Sequence, residues 1–193
     1  SIPYEINITY YDALKKTVKG SDKFQKKRFI CSQIIMLALK GIPAFYINSL
    51  WASKNYIEGV KKTDKNRTIN REKWDFKELN ELINSSNDNS LVFHELKKAI
   101  RIRKIQPAFH PGSCQSIHNS GTAFFVLERK SLDPRQTIYS ISNLKNLKQN
   151  FPIKTLNIPK ENIIINDLLT NVKYSSSENN IPLQPYQTLW LSF

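Results

Sequence analysis

Phe29-Ile30-Cys31-Ser32-Gln33-Ile34-Ile35-Met36-Leu37-Ala38-Leu39-Lys40-Gly41-Ile42-Pro43-Ala44-Phe45-Tyr46-Ile47 carries the pattern on which the fold reading turns. Phe29, Ile30, Ile34, Leu37 and Ala38 recur at three- and four-residue spacings, which predicts an amphipathic helix starting after an N-cap at Ser21 or Asp22. Gly41 supplies the stop, because glycine enters the left-handed backbone region at little cost. The run from Ile42 to Ile47 is apolar, aromatic and β-branched, and predicts a strand buried on both faces, as in a parallel sheet. Pro43 is tolerable near its start, where no ladder donor is required. Helix, glycine stop and buried strand together form the αβ unit of an α/β fold.

Working outward, Asn48 to Trp74 is long and polar, and would follow the carboxyl end of that strand. A loop of this length in a compact domain is uncommon and usually functional, and that end of a strand is where α/β enzymes place their sites. Asp75–Ile83 reads as a short helix and Leu91–Ile105 as a longer one. After Gln106-Pro107 the texture changes to short runs (122–128, 137–141, 163–165 and 188–191) separated by Gly, Asn, Ser and Pro, which is an antiparallel β pattern. A domain boundary is therefore expected near residue 106, with domains at 1–106 and 107–193.

Among 193 residues, three Trp, eight Tyr and ten Phe argue for a packed core. The net charge of +13 invites a nucleic-acid partner, but the cations, mostly Lys, are spread along the chain with no Arg-rich arm or base-reading module. The densest cluster, Lys97 to Lys104, alternates with Ile100 and Ile102 as the solvated stripe of a helix would. No nucleic-acid partner is expected. Ile34–Leu39 is the longest apolar stretch and too short for a bilayer, so no membrane partner is expected either. No basic-then-apolar leader is visible, and Ser1 is expected to be a truncation boundary. Cys31 reads as a small core hydrophobe and Cys114 as part of a turn; a reducing, cytoplasmic setting is expected, with one disulfide as the alternative.

His94, His110 and His118 lack metal-ligand spacing and companions, so no metal is expected. With five glycines and no close pair, no phosphate loop or dinucleotide fingerprint is present, and there is no Gly-x-Ser-x-Gly elbow. Glu5, Asp12, Glu58 and Asp64 lie in the region that would face a site, but each reads as a solvated or capping carboxylate. Arg67 and Arg71, flanked by Asn66 and Asn70, offer fixed donor forks for hydroxyls, carboxylates or phosphate. For Arg67 a ligand role and a loop-holding role are balanced on this ground alone; for Arg71 the loop-holding role is favoured.

Four blocks in this order, Pro3–Leu14 (Pro-Tyr-Glu-Ile-Asn-Ile-Thr-Tyr-Tyr-Asp-Ala-Leu), Leu39–Tyr46, Asn55–Thr63 and Asn66–Trp74, resemble the sucrose phosphorylase branch of the α-amylase family, glycoside hydrolase family 13. Leu183–Leu191 is similar to the last strand of that family's β domain. The resemblance implies the last strand and helices of a (β/α)8 TIM barrel followed by a small antiparallel β-sandwich-like domain. It implies a retaining α-glucoside phosphorylase that transfers glucosyl from sucrose or a related α-glucoside to inorganic phosphate, the co-substrate, with no cofactor. An α-amylase-family hydrolase or transglucosylase, such as an amylosucrase-like enzyme, and a non-catalytic carbohydrate-binding module are the alternatives.

A retaining mechanism needs two carboxyl groups about 5 Å apart. The resemblance places the nucleophile Asp, the acid/base Glu and a stabilising Asp upstream of Tyr4, so the chain alone is expected to be inactive. Tyr4 matches a phosphate-loop tyrosine, and Arg67 matches an arginine that hydrogen-bonds the glucosyl unit. Glu5 stands where sucrose phosphorylase resembles having Gln. A carboxylate there repels an anionic acceptor unless nearby cations offset it, which favours a neutral leaving group.

Overall fold

The computed structural model of the chain describes residues 6–158 and 163–193. They form two compact units, one of residues 6–30 and Ala44–Lys97, the other of Cys31–Pro43 and Lys98–Phe193.

The first unit is helical. It holds α1 (Tyr10–Ala13), a minimal hairpin of β1 (Lys16–Thr17) and β2 (Gly20–Ser21), the start of α2 (Gln25–Ala38), α3 (Ile57–Thr63), α4 (Phe76–Asn84) and the first part of α5 (Asp88–Lys104). Capping fixes several of these ends. The Asp75 carboxylate accepts the Lys77 and Glu78 backbone N–H groups at 2.8 and 3.3 Å, which starts α4 where the sequence predicts it. Such a cap is worth about 1 kcal/mol. Tyr11, Phe29, Ala52, Val92 and Leu96 form the core of this unit, with Leu14, Ile30 and Phe45 packed on it. Phe29 meets Tyr11 edge-on, with ring centroids 5.2 Å apart.

Two expectations change here. The strand predicted at Ile42–Ile47 does not form: this segment pairs with no strand among the described residues, and Ile42 and Tyr46 are 84% and 52% exposed. A parallel strand is stabilised by neighbours on its edges and by cover on both faces, and the described chain supplies no such neighbours. Nor is Asn48–Trp74 a structureless loop. It contains a 3-10 turn at Ile47–Ser49, helix α3, and a five-residue 3-10 turn at Asn66–Asn70. Lys61 and Lys62 in the last turn of α3 complement its dipole.

The second unit is built on an antiparallel six-stranded sheet. Its strands are β3 (Cys114–His118), β4 (Phe124–Lys130), β5 (Thr137–Asn143), β7 (Ile164–Asp167), β8 (Lys173–Ser175) and β10 (Thr188–Ser192), in the spatial order β3-β4-β5-β10-β7-β8. A separate antiparallel pair, β6 (Gln149–Pro152) and β9 (Asn180–Leu183), packs on one face of it. Period-two alternation makes this two-layer core: Val126, Ile141, Leu189 and Leu191 from the sheet meet Phe151, Ile181 and Leu183 from the pair. On β10 the intervening Thr188 and Trp190 point the other way. Trp190 packs on Phe109 with ring centroids 4.7 Å apart, and the Thr188 hydroxyl lies 3.5 Å from Cys31 Sγ.

Two polar clusters lie inside this unit. The fully buried Arg129 guanidinium donates to the carbonyls of Ala38 (2.8 Å), His110 (2.9 Å) and Cys114 (3.3 Å). Arg103 donates to the carbonyls of Leu37 (2.7 Å) and Gly41 (3.0 Å). The two arginines therefore cap the negative end of α2, using carbonyl dipoles in place of a carboxylate. The second cluster centres on buried Glu128, which holds His118 Nε2 and Lys130 Nζ at 2.8 Å each and accepts the Tyr139 hydroxyl at 3.3 Å. Burial, with the Glu128 charge second, pushes the Tyr139 hydroxyl up to about 12. Both cysteines are free: Cys31 is buried and Cys114 is exposed at the start of β3, not in the turn predicted for it.

Candidate functional site

In the first unit, the segment 8–11, the turn beginning at Tyr46 and the end of the 66–70 turn surround a cleft of about 200 Å³. Its walls include Thr9, Tyr10, Tyr46, Asn48, Ser53 and Asn70, all uncharged. Hydrogen bonds hold these walls in place. The Thr9 backbone N–H donates to Asn55 Oδ1 at 2.7 Å, and the Asn55 N–H donates to Asp12 Oδ2 at 2.8 Å. The Tyr46 hydroxyl donates to the Asn70 carbonyl at 2.8 Å, and Asn48 Nδ2 donates to the Glu72 carbonyl at 3.0 Å. Ser53 Oγ is buried without a hydrogen-bond partner. The arrangement is suited to a small neutral molecule rich in hydroxyls, since it offers donors and acceptors and no countercharge.

Of the residues predicted for a site, Tyr4 and Glu5 lie outside the described residues. Arg67 is exposed on the Asn66–Asn70 turn, three residues before the cleft residue Asn70, and is not itself part of the cleft wall. Arg71 closes the same turn, donating its backbone N–H to the Thr68 carbonyl at 3.0 Å. Asp12 ties segments together, as above, with Gln25 Nε2 also 3.3 Å away. Asp64 ends α3 in the left-handed region at φ 52°, and Glu58 lies in the first turn of that helix. Glu72, which the sequence did not single out, is half-buried; burial, then the charges of Glu58 and Glu78, raise its carboxyl above the ordinary range. Tyr46, Asn48, Ser53 and Asn70 were also missed individually. The only signal for three of them was their place in the long polar stretch. Among the described residues no group of three His, Cys, Asp or Glu could hold a metal ion, and no helix is long and apolar enough to cross a membrane.

No protein-family model matches the chain. Curated relatives do. Glucosylglycerate phosphorylase of Escherichia coli (strain K12) is 35% identical over 190 residues, 98% of this chain and 32% of that protein. Glucosylglycerate phosphorylase of Spirochaeta thermophila is 32% identical over 199 residues, 99% of this chain and 34% of that protein. Sucrose 6(F)-phosphate phosphorylase of Thermoanaerobacterium thermosaccharolyticum is 33% identical over 107 residues, 55% of this chain and 19% of that protein. The chain thus spans about a third of the length of the first two. Among solved structures, AmyP in complex with maltose superposes with a TM-score of 0.74 at 12% identity, over 96% of this chain and 38% of that one. The α-amylase of Geobacillus thermoleovorans, complexed with acarbose, gives 0.62 at 15% identity, over 86% and 33%. Its sequence relatives are thus glucosylglycerate and sucrose 6(F)-phosphate phosphorylases and its fold neighbours α-amylase-type enzymes, in keeping with the resemblance to the sucrose phosphorylase-like branch of the α-amylase family.

Proposed function

We propose that this chain is the C-terminal portion of a retaining α-glucoside phosphorylase, which transfers a glucosyl unit to inorganic phosphate and releases α-glucose 1-phosphate. The observation that carries the reading is the match to glucosylglycerate phosphorylases along 98% and 99% of the chain. Those relatives make glucosylglycerate the first substrate to test, ahead of sucrose, whose phosphorylase relative matches 75% of the chain at 26% identity. A glycerate acceptor then requires cations to offset the repulsion expected from the Glu5 carboxylate.

In this proposal residues 1–106 complete the catalytic barrel and 107–193 form the β domain. The exposed segment 42–47 becomes the last barrel strand once its neighbours flank it. Arg67 binds glucosyl hydroxyls and Tyr4 faces phosphate. The nucleophile Asp, acid/base Glu and stabilising Asp stand outside this chain, about 5 Å separating the first two as retention requires. The protein works without a cofactor and in the cytoplasm.

The test is phosphorolysis by the phosphorylase that contains this chain. Glucose 1-phosphate should form from glucosylglycerate and phosphate, retain the α configuration, and fall at least about tenfold on Arg67→Ala. Glucose release that is indifferent to phosphate would make the protein a hydrolase or transglucosylase. Phosphorolysis by the 193-residue chain alone would refute the assignment of the carboxylates.

A further inference from the structure

We infer that Gly59 and the Thr63–Thr68 hydroxyl pair are positioning residues for Arg67, setting the guanidinium's reach through the turn that carries it. The inference rests on the proposed role of Arg67 at the glucosyl unit.

A five-residue 3-10 turn has poor hydrogen-bond geometry and does not hold itself. The Asn66–Asn70 turn has no side-chain cap at its start. Its shape is imposed by α3, which lies immediately before it in the chain. The Tyr56 backbone N–H donates to the Ile69 carbonyl at 2.8 Å, joining the start of α3 to the end of the turn. At the other end of α3, the Thr63 hydroxyl donates its single proton to the Gly59 carbonyl at 2.8 Å. The Thr63–Thr68 contact, also 2.8 Å, must therefore run with Thr68 as donor. A directed chain results, from Thr68 hydroxyl to Thr63 hydroxyl to Gly59 carbonyl, and it grips the residue next to Arg67.

Gly59 is what lets the two pieces lie this close. It is buried in α3, and a Cβ there would stand 2.1 Å from Tyr56 Cδ1 and Cε1 and 2.9 Å from Thr68 Cγ2. No real Cβ tolerates such distances, so any other residue at 59 moves the Tyr56 ring and the turn away from the helix. A shift of about 1 Å at a binding arginine can cost about a hundredfold in rate. Fixing a long, flexible arginine from a short turn requires that the turn itself be rigid.

The test is a double-mutant cycle in the phosphorylase containing this chain, read as kcat/KM for phosphorolysis. Gly59→Ala should lower it about tenfold or more and Thr63→Val about threefold, with Thr63→Ser restoring activity. In an Arg67→Ala background the same changes should have little further effect, because their action runs through Arg67. Equal losses in both backgrounds would overturn the inference. If Arg67→Ala itself costs nothing, the proposed role of Arg67 fails, a result distinct from the first. Amide exchange on the same phosphorylase then decides whether the clasp exists: Thr63→Val should speed exchange at Thr68 and Arg71 about tenfold. Unchanged exchange there would overturn it.

Discussion

Replacing Arg129 by Met keeps much of the side-chain volume and removes every donor. Three carbonyls then lose a donor: the buried one of Ala38 at 2.8 Å, and those of His110 at 2.9 Å and Cys114 at a weaker 3.3 Å, both on exposed residues. A buried acceptor left without a partner costs about 1–3 kcal/mol, which applies to Ala38; the His110 carbonyl keeps the Ser113 N–H at 2.9 Å, so the gross loss is about 3 kcal/mol. Against this stands the relief of a desolvated charge. Burial, with the Arg103 charge second, already pushes the Arg129 guanidinium below its ordinary value. The net loss should be about 2 kcal/mol, a sizeable share of a typical domain's 5–15 kcal/mol. Arg129→Lys should lose about 1 kcal/mol, because one ammonium cannot serve all three carbonyls of a planar fork. Urea titration followed by Trp fluorescence measures both, with Trp190 in the same unit as reporter. A loss below about 1 kcal/mol for Arg129→Met would show that the charge is a burden the helix end can do without.

Glu128 ties stability to acidity: burial alone would raise its carboxyl, but hydrogen bonds from Lys130 and His118 outweigh it and depress the folded value. Stability from this group is therefore present above its unfolded pKa of about 4.3 and lost as pH falls through the lower folded value. Glu128→Gln should lower Tm at neutral pH and converge with the parent in acid; a constant gap at all pH values would contradict the ion cluster. A thiol titration in native buffer should modify exposed Cys114 quickly and Cys31 only on unfolding, since burial both hides the Cys31 thiol and raises its pKa; two thiols reacting at one rate would count against the packing. Asp64→Gly should raise stability by up to about 1 kcal/mol, because it relieves a left-handed residue at φ 52° and removes an anion from the negative end of α3; a fall in Tm would oppose that account.

Helices α2, α4 and α5 were legible because their apolar spacing and caps are local, whereas α1 and α3 were missed. The apolar spacing through Phe29, Ile34 and Leu37 falls on α2, and Asp75 caps α4 from its own side chain. The β1–β2 hairpin was missed; in the second unit four strands were found from apolar runs, and β3, β6, β8 and β9 were missed. The missed strands lie at sheet edges or in the two-stranded pair, where fewer neighbours require apolar residues; Ile117 on β3 is 65% exposed, and β6 and β9 each contain a proline. The segment 42–47 fails in the opposite way. Its sequence asks for a sheet interior that the described residues do not provide, so composition alone could not show that it would lie exposed. In the site, Arg67 was legible through resemblance, but Tyr46, Asn48, Ser53 and Asn70 converge only through folding. Gly59 looked like one more small residue in a polar stretch, and its meaning depends on a ring and a methyl group that approach it in space.

Strand β10 follows every other strand of its sheet along the chain, yet it lies in the middle, paired with β5 on one side and β7 on the other. During synthesis the sheet therefore exists as two unjoined halves, β3-β4-β5 and β7-β8, each with an open edge, until residues 188–192 leave the ribosome. Those five residues carry Leu189, Trp190 and Leu191, all fully buried. At about 5–20 residues per second the halves wait only seconds, but a stop codon a few positions before Thr188 would leave them waiting permanently. A nascent chain stalled there should be captured by holdase chaperones and cut by proteases, whereas one released after Ser192 should resist both.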